Sequence, residues 1–285
     1  MQEDNIQKDG LKQSYRALFW ISLSYIAVFS LGSLTGRLYL SLLFEVAAPV
    51  LAWMLSRKML TCRAAPCDTT LGFSPRPIPR SLPYLPLFVG GVVGLSLLTS
   101  FVEEKLGYVY EFPFGDNLWV ALFAYAVIPA LTEEFFCRYL FLRYLTPHSR
   151  GGAVLASAIF FSFLHGNFFQ IPYAFFAGVF LASMAVATGS VLPGVIFHLV
   201  NNIASILLHF CAETVIPQIL LYLLLTGIAC GVLWIVFTRK RLWANLRDIF
   251  ASGGNRAVLR ELFCSPLVIF LILFIGEAIL SIWQK

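Results

Sequence analysis

Long stretches without a charged side chain alternate along the chain with short segments rich in lysine and arginine. Three uncharged stretches are 20–25 residues long: Ala17 to Gly36, Ser81 to Val102 and Thr214 to Thr238. Two more, Leu38 to Ser56 and Leu262 to Gln284, contain a single glutamate each. A helix needs about 20 apolar residues to cross the hydrocarbon core of a bilayer. Each stretch is therefore predicted to be a transmembrane helix.

The longest uncharged interval, residues 151–212, has room for three more helices, with breaks near Gly166–Pro172 and Gly189–Pro193. Another apolar run, LWVALFAYAVI, leads directly into PALTEEFFCR, residues 129–138. Counting the helix that carries this stretch, we predict a polytopic all-α membrane bundle of about 8–9 transmembrane helices.

The composition agrees with a membrane protein. The 285 residues are 59% hydrophobic and 12% charged, whereas soluble domains carry roughly a quarter charged residues. The six cysteines include no C-x-x-C pair, and Cys62 and Cys67 fall in a basic loop. A disulfide framework is therefore not expected.

The distribution of positive charge predicts an orientation. Of the 20 Lys and Arg residues, 17 fall on alternate segments, which include the N-terminal tail. Cytoplasmic segments carry the excess of Lys and Arg, so the N-terminus is predicted to be cytosolic and the C-terminus to lie on the other side. The net charge of +5 reflects this sorting and attraction to anionic lipid, and no nucleic-acid partner is expected.

Polar side chains within the predicted spans are candidates for function, because each ionisable group costs about 3 kcal/mol to insert. Ten such residues stand out: Glu45, Glu133, Glu134, Arg138, His165, His198, Asn201, Asn202, His209 and Glu277. His209 is interpreted as structural or interfacial, and Glu45 and Glu277 as buried hydrogen-bond partners or residues beside a water-filled cavity.

The two adjacent glutamates are expected to differ in role. Glu134 and Arg138 are i and i+4 on a helix and can pair, whereas Glu133 is turned about 100° away and lacks that partner. Pro129 removes a helical hydrogen bond at this level and is expected to kink the helix. Glu133 therefore keeps its basicity for general-base chemistry.

Two further spans present polar faces. His165 lies one turn after Phe161, and His198 and Asn202 are i and i+4 on the following polar helix. Together the three helices hold a carboxylate, two imidazoles and an amide, which are the chemical groups needed to activate water.

Several intramembrane protease classes are excluded by motif. No H-E-x-x-H is present, as the zinc metalloprotease helix requires. PFGD at residues 113–116 differs from the G-x-G-D of aspartyl intramembrane proteases, and no G-x-S-G serine nucleophile lies within a span. A glutamate/histidine site remains.

Three motifs occur in order on three spans: E-E-x-x-x-R (Glu133, Glu134, Arg138), F-x-x-x-H (Phe161, His165) and H-x-x-x-N (His198, Asn202). This arrangement resembles the CPBP family of type II CAAX prenyl endopeptidases and bacteriocin-processing or immunity proteins, also called the Abi family. The resemblance covers residues 118–206. It divides the chain into N-terminal spans with a basic cytosolic loop (1–117), the catalytic core (118–206), and C-terminal spans with a second basic loop (207–285).

The resemblance implies roles for the motif residues. Glu133 would activate water with the help of His165, His198 and Asn202 would stabilise the oxyanion, and Glu134 and Arg138 would support the site. It also implies an intramembrane cavity open to the cytosol and to lipid, and a membrane-associated peptide or protein as substrate. A bacterial plasma membrane is expected, and the expected substrate is a CAAX-type prenylated protein or a bacterial peptide or bacteriocin-like precursor.

The sequence departs from the commoner E-E-x-x-F-R-G form. Cys137 and Tyr139 stand where Phe and Gly are usual, and Tyr139 is expected to narrow the space beside the site. A thiol nucleophile at Cys137 is an alternative to Glu133.

Three further hypotheses are compatible with the same residues. Glu133, His165 and His198 could hold Zn²⁺, although metal-free catalysis without a cofactor is favoured because no helix supplies the usual histidine pair. The chain could be an ion-coupled transporter, or a catalytically idle immunity or scaffold protein of the same family.

Overall fold

The computed structural model describes residues 2–34, 36–61, 67–108, 117–251 and 253–283. Cys62 and the PFGD segment lie outside these ranges. The described residues form ten helices, here α1 to α10: Gln2–Leu34, Leu38–Thr61, Ile78–Lys105, Leu118–Leu145, Arg150–Phe163, Ile171–Thr188, Leu192–Phe210, Ile216–Phe250, Asn255–Cys264 and Val268–Trp283. Within α3, the first turn Ile78–Ser81 and the 3₁₀ turn Leu82–Tyr84 precede the long helix Leu85–Lys105. The predicted all-α membrane bundle is confirmed.

Seven of the described helices are long and apolar enough to cross a bilayer. An eighth crossing is formed if α9 and α10, which meet at a 72° bend, are counted together. The chain is a multi-pass integral membrane protein. Among the described residues the count thus reaches the lower figure of the predicted 8–9 spans. Helix α5 is not counted because it has only 14 residues, about 21 Å of helix.

Helix α5 lies at the centre of the bundle. Ten of its 14 residues are buried, and α6 packs against it at close range. A Cβ at Gly178 of α6 would lie 2.9 Å from Ala158 Cα of α5. Small residues permit such close approach of helices in lipid, where packing replaces the hydrophobic drive. The predicted chain breaks are confirmed: α5 ends at Phe163, α6 begins at Ile171 and ends at Thr188, and α7 begins at Leu192.

The polar ends of several helices meet at one end of the bundle, here called the basic end. Four hydrogen bonds join these elements. Ser14 of α1 binds His148 in the α4–α5 turn, and Tyr144 of α4 binds the Ser56 carbonyl of α2. Tyr84 of α3 binds Thr238 of α8, and Ser149 before α5 binds Asn255 of α9. These elements adjoin the segments that carry most of the Lys and Arg residues. The bundle therefore gathers its positive charge on one side.

Candidate active site

Helix α4 carries the two glutamates between two π-helical segments, Phe123–Val127 and Phe135–Phe141. The regular segment Ile128–Glu134 separates the two π-helical segments. A π-helical segment adds a residue to a helical turn, which changes the direction of the side chains that follow, and such segments are frequent at functional sites. The glutamates therefore end the regular segment and directly precede the second π-helical segment.

Pro129 explains how α4 is joined to α7. Proline has no backbone N–H, so Pro129 cannot donate to the carbonyl of Tyr125 four residues earlier. The side chain of Asn202 donates instead, with Nδ2 3.3 Å from that carbonyl oxygen. The carbonyl to which Pro129 cannot donate thus accepts an amide from another helix.

Glu134 lies at the centre of a buried chain of charges. Its Oε2 is 3.2 Å from Arg138 Nε, and both side chains have no exposed surface. The Arg138 N–H is not directed at the oxygen as in a hydrogen bond, so the pair is held by charge. The guanidinium also lies over the ring of Phe161, 4.1 Å from its centroid, a cation–π contact. The pair predicted from the i, i+4 spacing is present.

The other oxygen of Glu134 binds His198. Oε1 lies 3.1 Å from His198 Nδ1. An ionised carboxylate only accepts hydrogen bonds, so Nδ1 carries the proton and the opposite nitrogen, Nε2, faces away from Glu134. Gly194, one turn earlier on α7, allows this approach, since a Cβ there would lie 3.1 Å from Glu134 Oε2.

Glu133 is held differently from its neighbour. Its Oε2 lies 4.0 Å from His198 Nε2, which is too far for a direct hydrogen bond. Among the residues that the structure describes, this oxygen has no hydrogen-bond partner, although the side chain retains 23% of its surface exposure. Glu45 of α2 also interacts electrostatically with Glu133, so a second carboxylate faces the same region.

His165 joins the group through an aromatic ring. Its Nδ1 donates to the backbone carbonyl of Phe161 at 3.0 Å, which leaves Nε2 as an acceptor. The Phe161 ring contacts the rings of His165 and His198 edge-on, with centroids 5.0 and 5.8 Å apart. Within the described part of the chain, no hydrogen bond or ion pair joins His165 to either glutamate or to His198. Phe161 is therefore the packing centre of the site.

The turn after His165 meets the last helix. Gly166 has a φ of +58°, and a Cβ there would lie 2.8 Å from the Cδ of Glu277 on α10. Asn167, the next residue, is buried, and its Nδ2 has no hydrogen-bond partner among the described residues. Glu277 is thus placed against the His165 turn, and its side chain is exposed, so the prediction of a buried position for Glu277 is wrong.

The other residues discussed from sequence have clear locations. Cys137 is fully buried behind Glu133, and an inaccessible thiol is a poor nucleophile. The Tyr139 ring packs against Phe73, Phe135 and Arg143. His209 lies in the last turn of α7.

The residues do not form a metal site of the usual kind. Among the described residues, no three His, Cys, Asp or Glu side chains are grouped so as to hold a metal ion. The candidate set of Glu133, His165 and His198 fails because His165 is joined to the others only through Phe161. Within the described part of the chain, Glu133, His165 and His198 are therefore not grouped as the three protein ligands that a catalytic zinc ion takes.

Comparison with known families supports the motif assignment. A family model described as type II CAAX prenyl endopeptidase Rce1-like matches residues 115–204. Residues 115–204 are thus similar to an Rce1-like domain. The resemblance inferred from the three motifs is confirmed, and the family is one of proteases. The match spans under a third of the chain, and comparison with curated proteins and with solved structures gave no match.

Proposed function

We propose that the protein is an intramembrane endopeptidase that hydrolyses a peptide bond with a water activated by Glu133. The observation that carries this proposal is the 4.0 Å separation between Glu133 Oε2 and His198 Nε2. Neither atom is bonded to the other, and a water placed between them can donate a hydrogen bond to Glu133 and form a second one with His198 Nε2. The Arg138–Glu134 pair fixes His198 from behind, so the second hydrogen-bond partner of that water is held in place.

The reaction would begin when Glu133 takes a proton from the bound water. The water oxygen then bonds to the carbonyl carbon of the scissile peptide, and the carbonyl becomes an oxyanion. Glu133 returns the proton to the nitrogen of the leaving amine, and the C–N bond breaks. His165, with Nε2 as an acceptor, would help to hold the water.

The oxyanion needs hydrogen-bond donors, and α7 offers two. Asn202 has two amide N–H groups, of which one binds the Tyr125 carbonyl and the second would serve the oxyanion. His198 in its cationic form donates from both nitrogens, to Glu134 through Nδ1 and to the oxyanion through Nε2. These roles follow the family resemblance and agree with the observed contacts.

The substrate would be a membrane-associated peptide or protein, because the candidate site lies within membrane-spanning helices. A bacterial peptide or bacteriocin-like precursor and a CAAX-type prenylated protein are the two substrate classes. We place the protein in a bacterial plasma membrane with its basic end, and so its N-terminus, in the cytosol. The gathering of basic segments at one end of the bundle supports this orientation.

Glu133→Gln tests the proposal directly. Wild type and variant are expressed in matched membranes, and released peptides are compared by mass spectrometry with a farnesylated CAAX-type reporter and bacterial membrane peptides. Because a positioned general base contributes about 10²–10⁴-fold to rate, we expect the variant to lose peptide release by that factor. Glu103→Gln, the same substitution at the end of α3, is the matched control and is expected to behave as wild type.

Equal peptide release from wild type and Glu133→Gln, with both proteins folded, would refute the peptidase proposal and favour a scaffold or transporter. A metal chelator should leave peptide release by the wild type unchanged, because the proposed chemistry uses no metal ion.

A further inference from the structure

A short segment at the basic end, residues 67–74, lies outside the Rce1-like domain and is joined to it at two places. Residues 67–74 precede α3 and contain no regular helix. The segment contacts both the end of α4 and the turn between α6 and α7. These are the connections that lead to Glu133 on α4 and to His198 on α7.

The first attachment is made by Asp68. Its backbone N–H donates to the Arg143 carbonyl at 2.7 Å, and Arg143 Nε donates back to the Asp68 carbonyl at 2.8 Å. The Asp68 carboxylate accepts from Thr146 Oγ1 at 3.1 Å and from the N–H and hydroxyl of Thr70 at 2.8 and 2.6 Å. The last turn of α4 is thus tied to the segment through both backbone and side chains.

The second attachment is a single parallel β-bridge between Gly72 and Ser190. Gly72 N–H donates to the Gly189 carbonyl at 3.1 Å, and Val191 N–H donates to the Gly72 carbonyl at 2.9 Å. Ser190 Oγ donates to the Ser74 carbonyl at 2.7 Å. Helix α7 begins at the next residue after Val191.

Side chains of the segment pack onto the same elements. Leu71 is buried in the main core of the bundle. The Phe73 ring lies 5.9 Å from that of Phe135 and 4.8 Å from that of Tyr139, centroid to centroid, and Phe135 directly follows Glu134. The segment therefore contacts α4 along one face as well as at its end.

We propose that residues 67–74 are a positioning clamp that fixes α4 relative to α7. The proposal rests on the proposed function, because its purpose is to hold Glu133 and Glu134 at their observed distances from His198. Helices in lipid lack a hydrophobic drive toward one another, so polar attachments at their ends are needed to fix their relative tilt. From Arg143 to Glu133 is about 15 Å along α4, and from Ser190 to His198 about 12 Å, so a small tilt at the clamp moves the catalytic atoms.

Two substitutions release the clamp at its two ends. Gly72→Pro removes the N–H that binds the Gly189 carbonyl, and Asp68→Ala removes the carboxylate that binds both threonines. A misplacement of about 1 Å can cost about 100-fold in rate, so the double variant is expected to lose about 10–100-fold in kcat per folded molecule, with KM within about twofold. Asp68→Asn keeps an acceptor oxygen, so its kcat should be closer to that of the wild type than the kcat of Asp68→Ala is. Asp248→Ala, at the same end of the bundle, is the matched control.

Hydrogen exchange supplies a readout that does not depend on activity. In the double variant we expect faster amide exchange in residues 192–198 of α7 and in the last turn of α4, with α10 unchanged. If the double variant fails to fold, kcat per folded molecule and amide exchange are measured on Asp68→Ala alone, and these two results test the clamp. Unchanged kcat per folded molecule in an active enzyme, or unchanged exchange in both helices, would overturn the clamp. A different outcome is that the wild type releases no peptide while the double variant still shows faster exchange. That outcome would overturn the peptidase proposal and would support the clamp.

Discussion

Removing Arg138 should destabilise the protein strongly, because it leaves the Glu134 carboxylate buried without its cation. The informative variant is Arg138→Leu, which keeps an apolar side chain against Phe161 and removes only the charge and the planar head. Both members of the pair have no exposed surface. Water cannot replace the lost partner unless the structure opens.

The magnitude follows from the burial. Breaking a buried ion pair by removing one partner costs about 3–5 kcal/mol. Loss of the cation–π contact between Arg138 and Phe161 adds up to about 2 kcal/mol, because this contact is shielded from water. Leucine recovers part of this through packing. We therefore expect Arg138→Leu to lower the free energy of unfolding by about 3–5 kcal/mol.

The measurement is denaturant unfolding in detergent micelles of wild type, Arg138→Leu, Glu134→Gln and the double variant. Because neutral Gln needs no counter-ion, the double variant should cost less than the two single variants combined, with a coupling free energy of about 1–3 kcal/mol. A loss below about 1 kcal/mol for Arg138→Leu, or additive effects, would refute the view that Arg138 compensates a buried charge.

Three further predictions concern single positions. Gly194→Ala should lower kcat more than stability, because the new methyl group would lie 3.1 Å from Glu134 Oε2 and push it from His198; unchanged steady-state kinetics would contradict this. Gly166→Ala should lower the thermal unfolding midpoint, since alanine is strained at a φ of +58° and its Cβ would meet the Glu277 carboxylate; an unchanged midpoint would contradict it. Burial raises the pKa of Asp68, but hydrogen bonds from threonines and the nearby Arg143 charge outweigh it and hold this pKa below its usual value. The stability that ionised Asp68 contributes is therefore present above pH about 4 and lost as the pH falls through the folded-state pKa, so unfolding of wild type and Asp68→Asn should converge in acid and differ near neutrality.

Helical periodicity was enough to predict the contacts that lie within one turn. The i, i+4 spacing of Glu134 and Arg138 predicted their pair, and Pro129 predicted a missing hydrogen bond in α4. Hydrophobic length predicted the spans except at two places. Helix α5 has only 14 residues within a much longer apolar interval, and the last predicted span is divided by the 72° bend between α9 and α10. Composition cannot show that such a helix stops part-way.

Contacts between distant helices could not be predicted in this way. The orientation of His198 between Glu133 and Glu134 depends on how α7 is rotated against α4, which a single sequence does not encode in any local pattern. The placement of Glu277 against Gly166 depends on the 72° bend between α9 and α10. The clamp at residues 67–74 was missed because its partners lie more than 60 residues away along the chain and the segment has no periodic pattern.

The hydrogen bond from Asn202 to the Tyr125 carbonyl has a consequence for how the sequence can vary. A residue other than proline at position 129 would add a backbone N–H near the same carbonyl, which can accept two hydrogen bonds, and Asn202 would then share the carbonyl with it. Proline at one position and asparagine at the other thus depend on each other although 73 residues separate them. Across an alignment of related chains, the two positions are expected to covary, so that loss of the proline accompanies a change of the amide donor.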